Sequence, residues 1–428
     1  MKNTWEEIGF FPGDLLLPGE GVSLEDWAVV ACDQFTSEPE YWQRVKKRTE
    51  GKASAFHLIL PEVWLDQTSS RLGQINENME KYVENKQLVQ KVSQGFILVE
   101  RGISTGKRIG LLGLIDLEKY SYEKGSTSLF RPTEGTVTER IPPRMHIRQA
   151  AVLELPHVLL FVDDMHKTFL EPLYEKNQQK ETLYDFSLME GGGNIKGWKV
   201  DREEEKEHIA KTLREMLSQE ESSQDILFAV GDGNHSLATA KACWEKMKAN
   251  LSEEEQKNHP SRFALVEVQN IYDPSILFEP IHRLIINVQE KTLEKDWLTY
   301  CKEKAVTLSF QEEKNGQSNQ FALISQGRTT YFSLTPSKED HRLPLAILQE
   351  FLDGWLCKYP QGEIDYIHGD DTLTALAKEK NRVGILVPGM DKEALFPAIA
   401  KSGTLPRKTF SVGHANEKRY YLEGRKIR

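Results

Sequence analysis

The sequence predicts an α/β chain of the mixed α+β kind, and three observations carry that expectation. Short apolar runs of strand length alternate with longer segments of helical periodicity. One such run, Ile226 to Val230, passes through a glycine-rich turn straight into a helical repeat. The 428 residues, 39% hydrophobic and 28% charged, suffice for two or three packed domains. The pattern becomes mixed beyond Arg283, which places a boundary near Ile285. A larger domain over 1–285 and a smaller α+β domain over 286–428 are therefore expected.

Charge narrows the partners. Lys and Arg number 55 and Asp and Glu 65, a net charge of -10 that repels nucleic-acid backbones and anionic membranes. Neither partner is expected. No segment approaches the ~20 apolar residues of a spanning helix, and the N-terminus lacks a basic start, so the expected compartment is the cytoplasm. Cys32, Cys243, Cys301 and Cys357 lie far apart in the chain. They read as reduced structural thiols.

Along the chain, Trp27 to Cys32 fits a buried strand that ends at Asp33, and Thr36 to Glu40 reads as a helix start. There Ser37 supplies a cap, Pro39 fits the first turn, and Glu38 and Glu40 favour the positive end of the dipole. Phe96 to Glu100 and Ile109 to Leu117 flank Gly102 to Lys107 as a β-hairpin. A P-loop is rejected for the latter, because the spacing is one residue short and Arg108 stands where Ser or Thr would be. Arg144-Met145-His146-Ile147-Arg148 alternates with period two, which reads as a strand with three basic groups on one face. Val158 to Val162 is another strand. Asp201 to Gln219 is a helix capped by Asp201, and Leu237, Ala240, Trp244 and Met247 mark the helix after the glycine turn. Arg262 to Gln269 is a further strand. The smaller domain carries helices near Lys291 to Lys304 and Leu345 to Leu356, with strands near Phe321 and Thr330. The basic tail through Arg428 leaves a return to the first domain open.

The chemistry points to Gly231-Asp232-Gly233-Asn234-His235-Ser236. Glycines permit positive φ and close approach, and N–H groups at a helix start face outward to cradle phosphate. His235 and Ser236 add side-chain donors, and His235 is a candidate catalytic group. The competing reading is that Asp232 or Asn234 merely caps the helix. Gly231, Gly233 and Ser236 only weakly match a dinucleotide fingerprint, and the acidic residue expected some twenty positions later is missing. Arg140, Arg144, Arg148 and Lys408 are candidate phosphate cations. Asp33, Glu38 or Glu40 could activate a hydroxyl. Asp232 is the natural ligand for Mg2+ arriving with ATP or ADP, since such an ion needs few protein carboxylates. Clusters at Asp163, Asp164 and His166, or His368, Asp370 and Asp371, fit turn chemistry better than a metal cage.

Several blocks resemble the bacterial domain-of-unknown-function 1015 family over nearly the whole chain. They are Trp27 to Gln34 with Thr36 to Trp42, Glu134 to Thr136, Arg140 to Arg144, Glu154 to His157, Gly191 to Gly197 and Gly231 to Ser236. Asp232-Gly233-Asn234-His235 is more loosely similar to the turn of the ParB/sulfiredoxin-like superfamily, usually Asp-Gly-His/Asn-His-Arg. That resemblance implies a nucleotide-binding core and, through the free-serine kinases of the superfamily, a small-molecule phosphotransferase with L-serine as one acceptor. Ser236 departs from the usual Arg, which removes a charge-assisted phosphate contact. A nucleotide-responsive binding protein without turnover and a phosphohydrolase are the alternatives.

Overall fold

The computed structural model describes residues 2–218, 226–314, 319–337, 340 and 342–428. The chain divides into two compact units: Met1–Pro132, Thr136–Ile276 and Gly413–Arg428 form the first, and Thr133–Gly135 with Leu277–Val412 form the second. Ile285 lies inside a strand, Phe278–Ile286, of the second unit. The C-terminal segment Gly413–Arg428 belongs to the first unit. Among the described residues no helix is long and apolar enough to cross a membrane.

The first unit is built on a mixed ten-stranded sheet. Its long hairpin, Leu88–Ile103 and Gly106–Asp116, turns through Ser104 and Thr105, and the β-hairpin expected around Gly102 to Lys107 is present. Phe263–Asn270 pairs with one edge of that hairpin, antiparallel, and with Leu159–Val162, parallel. Leu159–Val162 pairs next with Phe228–Asp232, which lies parallel to Phe130–Pro132. The central strands are buried nearly throughout, which is why they read as apolar runs rather than alternating ones.

The C-terminal segment is stitched into this unit. Tyr420–Tyr421 pairs with Val29–Val30, and Arg425–Lys426 pairs with Leu153–Glu154. The Trp27 indole donates to the Leu422 carbonyl at 3.0 Å. Arg101, 3% exposed, donates to the carbonyls of Gly192, Asn416 and Lys418. Its cross-strand neighbour Arg108 donates to the Glu417 carbonyl at 2.7 Å. Two buried guanidiniums thus receive the tail through its backbone, a contact with no local signature in either segment.

Several expectations need correction. Arg144 to Arg148 is helix, not strand: the helix is Ile141–Arg148, with Pro142 and Pro143 in its first turn, where a missing N–H costs nothing. Five residues of alternation cannot separate the two periods, and the proline pair is the decisive signal. The strand expected from Trp27 to Cys32 shrinks to Val29–Val30, because Leu24–Trp27 is a helical turn capped by Ser23. The helix Pro39–Thr49 begins as expected at Pro39, but its N-cap is Glu38 rather than Ser37. The helix expected over Asp201 to Gln219 is Glu203–Ser218, and Gln219 lies outside the described residues.

The second unit holds a separate, seven-stranded antiparallel sheet around Phe278–Ile286. Helices Glu290–Glu303 and Pro344–Lys358 cover it, with the Trp297 and Phe351 rings 4.2 Å apart between centroids.

Candidate functional site

The strand Phe228–Asp232 runs directly into the helix Asn234–Lys248, with Gly233 alone between them. Gly233 has a φ of 81°, in the left-handed region that favours glycine, and a Cβ there would meet Val158 Cα at 3.0 Å. Gly231 lies at a register shift in the strand, where a Cβ would come within 2.3 Å of the Phe161 ring. The glycines therefore serve close packing and a sharp reversal. Beyond Gly233 the helix opens with N–H groups that have no intrahelical acceptor and carry the positive end of the dipole.

The turn's side chains are held from several directions. Asp232 Oδ1 accepts from the Gly233 N–H at 2.9 Å, and Asp232 Oδ2 lies 3.3 Å from Lys418 Nζ. His235 Nε2 accepts from the Val137 N–H at 3.3 Å, so in this state the ring fastens a loop. Asn234 Oδ1 is buried and, among the described residues, has no donor. Ser236 Oγ is 2.8 Å from His157 Nε2, and His157 Nδ1 is 2.7 Å from the Tyr421 hydroxyl. Tyr421 in turn donates to Cys32 Sγ at 3.1 Å.

This chain of groups opens on a cavity of about 180 Å³ within the first unit. Leu58, Leu60, Ile75 and Met79 give it an apolar wall, and Leu237 and Ala240 of the helix after the turn give it another. Arg144 and Arg148, four residues apart, enter from one helix face. Arg144 is ion-paired with Glu62 and Arg148 with Glu154. Glu154 also accepts from the Leu265 N–H and faces Arg425 Nε at 3.5 Å. Burial alone would raise the Glu154 carboxyl, but the Arg148 and Arg425 guanidiniums and the Leu265 N–H hold it below the usual carboxylate range. Burial, with the Asp33 carboxylate beside it, pushes the Cys32 thiol up to about 12. Burial likewise raises Tyr421, so both stay protonated at neutral pH.

Of the turn, Ser236 lines the cavity together with Arg144 and Arg148, and Gly231 to His235 lead into it along the strand end and the helix start. Asp33 directly succeeds the lining residue Cys32, and its Oδ1 accepts from Gln34 Nε2 at 3.0 Å. Glu38, Glu40, Arg140 and His146 are exposed, and the Arg140 carbonyl accepts from Arg144 Nη1 at 2.9 Å. Lys408 belongs to the second unit, where it is exposed and its carbonyl accepts from Arg283 Nη1 at 2.9 Å. His157, Tyr421, Cys32 and Lys418 escape sequence reasoning. His157 has a usable signal, a histidine directly before a buried strand, whereas Tyr421 and Lys418 have only the basic character of the tail.

Among the described residues no group of three or more His, Cys, Asp or Glu side chains is placed to hold a metal ion. Asp164 accepts from Thr168 Oγ1 and the Phe169 N–H, Asp163 from the Tyr272 hydroxyl, and Asp370 pairs with His282. Turn chemistry and local pairing occupy these carboxylates.

Comparison with known proteins yields one family and a few distant folds. Residues 16–355 match the model of a family described as "Protein of unknown function (DUF1015)". No curated protein matches. A glutamate-to-alanine mutant of free serine kinase in complex with AMP aligns at 11% identity and a TM-score of 0.41, over 72% of this chain and 90% of that one. SbnI from Staphylococcus aureus, truncated at its C-terminus, aligns at 12% identity and a TM-score of 0.38, over 71% and 82%. A conserved hypothetical protein from Pyrococcus furiosus aligns at 12% identity and a TM-score of 0.36, over 73% and 94%.

Proposed function

The chain belongs to the DUF1015 family, and we propose that it transfers a phosphoryl group from a nucleotide to the hydroxyl of a small molecule, with L-serine among the acceptors. The first unit is read as a ParB/sulfiredoxin-like nucleotide-binding core. One observation carries this: a Gly233-capped helix start, with the Lys418 ammonium beside it, opens next to a walled cavity that also holds Arg144 and Arg148. N–H donors, a cation and exclusion of water are what a transferring phosphoryl group requires.

In this reading the nucleotide phosphates lie on the helix start at Asn234, His235 and Ser236. A guanidinium has five N–H donors in a fork, so Arg144 and Arg148 donate to phosphate while still paired with Glu62 and Glu154. Asp33, directly after the lining residue Cys32, or Glu38, the N-cap residue of the helix Pro39–Thr49, accepts the proton of the acceptor hydroxyl. Mg2+ bound with the nucleotide would supply neutralisation of the phosphate charge. Asp232 would hold it by giving up the Lys418 ammonium, since one or two carboxylates suffice for such an ion.

The test is incubation with ATP or ADP, Mg2+ and a panel of hydroxylated metabolites, read by phosphorus NMR. A phosphorylated acceptor is expected, formed many times per chain and on the order of 100-fold slower in Asp33→Asn or Glu38→Gln. Saturable binding of nucleotide with no product from any acceptor would instead leave a nucleotide-responsive binding protein.

A further inference from the structure

Ser236, His157, Tyr421 and Cys32 form a continuous hydrogen-bonded series along the cavity wall. Ser236 opens the helix at the anion-favouring end, and its Oγ points to His157 Nε2 at 2.8 Å. His157 is 7% exposed and is held edge-on by the Tyr421 ring, 88° between the planes, with Nδ1 2.7 Å from the Tyr421 hydroxyl. Tyr421, 3% exposed, is fixed in turn by Cys32, whose N–H donates to the phenol oxygen at 3.3 Å and whose Sγ receives the phenol proton at 3.1 Å.

The proton count gives this series a direction. Tyr421 has a single proton. When that proton points to Cys32 Sγ, the phenol oxygen accepts from His157 Nδ1–H, and Nε2 is left as the acceptor for the Ser236 hydroxyl. Nucleophile, base and orienting group then stand in series, each within hydrogen-bond reach of the next.

We propose that Ser236 is a nucleophile that carries the phosphoryl group as a covalent intermediate, with His157 as its base and Tyr421 as the residue that positions His157. This rests on the phosphotransferase reading and specifies its route. In the first half, Ser236 Oγ bonds to phosphorus, the bridging oxygen–phosphorus bond to the departing nucleotide breaks, and the serine proton moves to His157 Nε2. In the second half, the acceptor oxygen bonds to phosphorus, Ser236 Oγ leaves and retakes the proton from His157, and the acceptor proton passes to the carboxylate of Asp33 or Glu38. The apolar walls built by Leu58, Leu60 and Met79 keep bulk water from competing as acceptor.

The experiment is acid-quenched incubation of the full chain with ATP or, separately, ADP, with Mg2+ and no acceptor, then phosphopeptide mapping, which needs no variant. Phosphoserine at Ser236 is expected, discharged on adding the acceptor. His157→Gln should bind nucleotide as before but form the intermediate on the order of 100-fold more slowly. Tyr421→Phe should slow it less and shift the pH–rate profile, an effect that a merely structural phenol would not produce. An unlabelled Ser236 in a chain that still phosphorylates its acceptor, with Ser236→Ala turning over near the wild-type rate, would overturn this route and leave the phosphotransferase standing. If neither chain nor acceptor is phosphorylated, both fall.

Discussion

Lys418 Nζ lies 3.3 Å from Asp232 Oδ2, so a residue ten positions before Arg428 brings a cation to the strand end where the helix start begins. The pair is half-enclosed, at 14% and 21% exposure, and its value to the fold is small, about 1 kcal/mol at most. Its value to an anionic ligand is larger. Lys418→Ala should weaken pyrophosphate or nucleotide binding about tenfold, about 1.4 kcal/mol, and flatten its salt dependence. Titration calorimetry at two ionic strengths decides it, and unchanged affinity would remove Lys418 from the site.

Arg101 ties the tail to the sheet through the backbone carbonyls of Asn416 and Lys418, and also donates to the Gly192 carbonyl. Arg101→Met keeps much of the volume and leaves those carbonyls without their charged donor. A loss of about 3 kcal/mol is expected, with earlier proteolytic cleavage within 413–428. A urea midpoint within error of wild type would show that the strand pairing of Tyr420–Tyr421 and Arg425–Lys426 suffices without it.

Gly233→Ala places a Cβ on a left-handed residue and against Val158 Cα at 3.0 Å. The expected cost is about 1–2 kcal/mol, together with weaker nucleotide binding because the helix start must shift. Denaturant unfolding with and without ligand measures both. A stable variant with normal binding would reduce the turn to an ordinary cap.

Glu154 gives a pH signature. Its folded carboxyl is held below the usual range, so its contribution is fully present above the unfolded value and is lost as pH falls through the folded one. Glu154→Gln, which leaves Arg148 and Arg425 without their carboxylate, should cost about 3 kcal/mol at pH 7. That gap should narrow below about pH 4, as wild type loses the same charge. A gap independent of pH would mean that the Glu154 charge contributes nothing.

Legibility in the sequence depends on whether the signal is local. The strands at Val158 to Val162 and Ile226 to Val230, the hairpin at Gly106 and the helix after Gly233 all announce themselves by continuous burial or by a residue with a special φ. The helix bearing Arg144 and Arg148 reads as a strand when alternation over five residues outweighs Pro142-Pro143. Even so, both arginines reach the cavity, since four-residue spacing on a helix aligns them as period two would on a strand. Tyr421 and Lys418 cannot be read at all. They reach the site through contacts with residues far away in sequence: Tyr421 pairs with Val29, and Arg101 and Arg108 donate to the backbone carbonyls of Lys418 and Glu417.

The central claim is that the helix start after Gly233 binds nucleotide phosphate, and a thermal melt of the wild-type chain against ATP, ADP, AMP, pyrophosphate and phosphate, with and without Mg2+, tests it most directly. A nucleotide at 100 times its Kd should stabilise the fold by about 2.7 kcal/mol, a shift that Gly233→Ala and Lys418→Ala reduce. An unchanged melting temperature with every one of these ligands at millimolar concentration would contradict the claim and leave Gly231 to Ser236 as a tight structural turn.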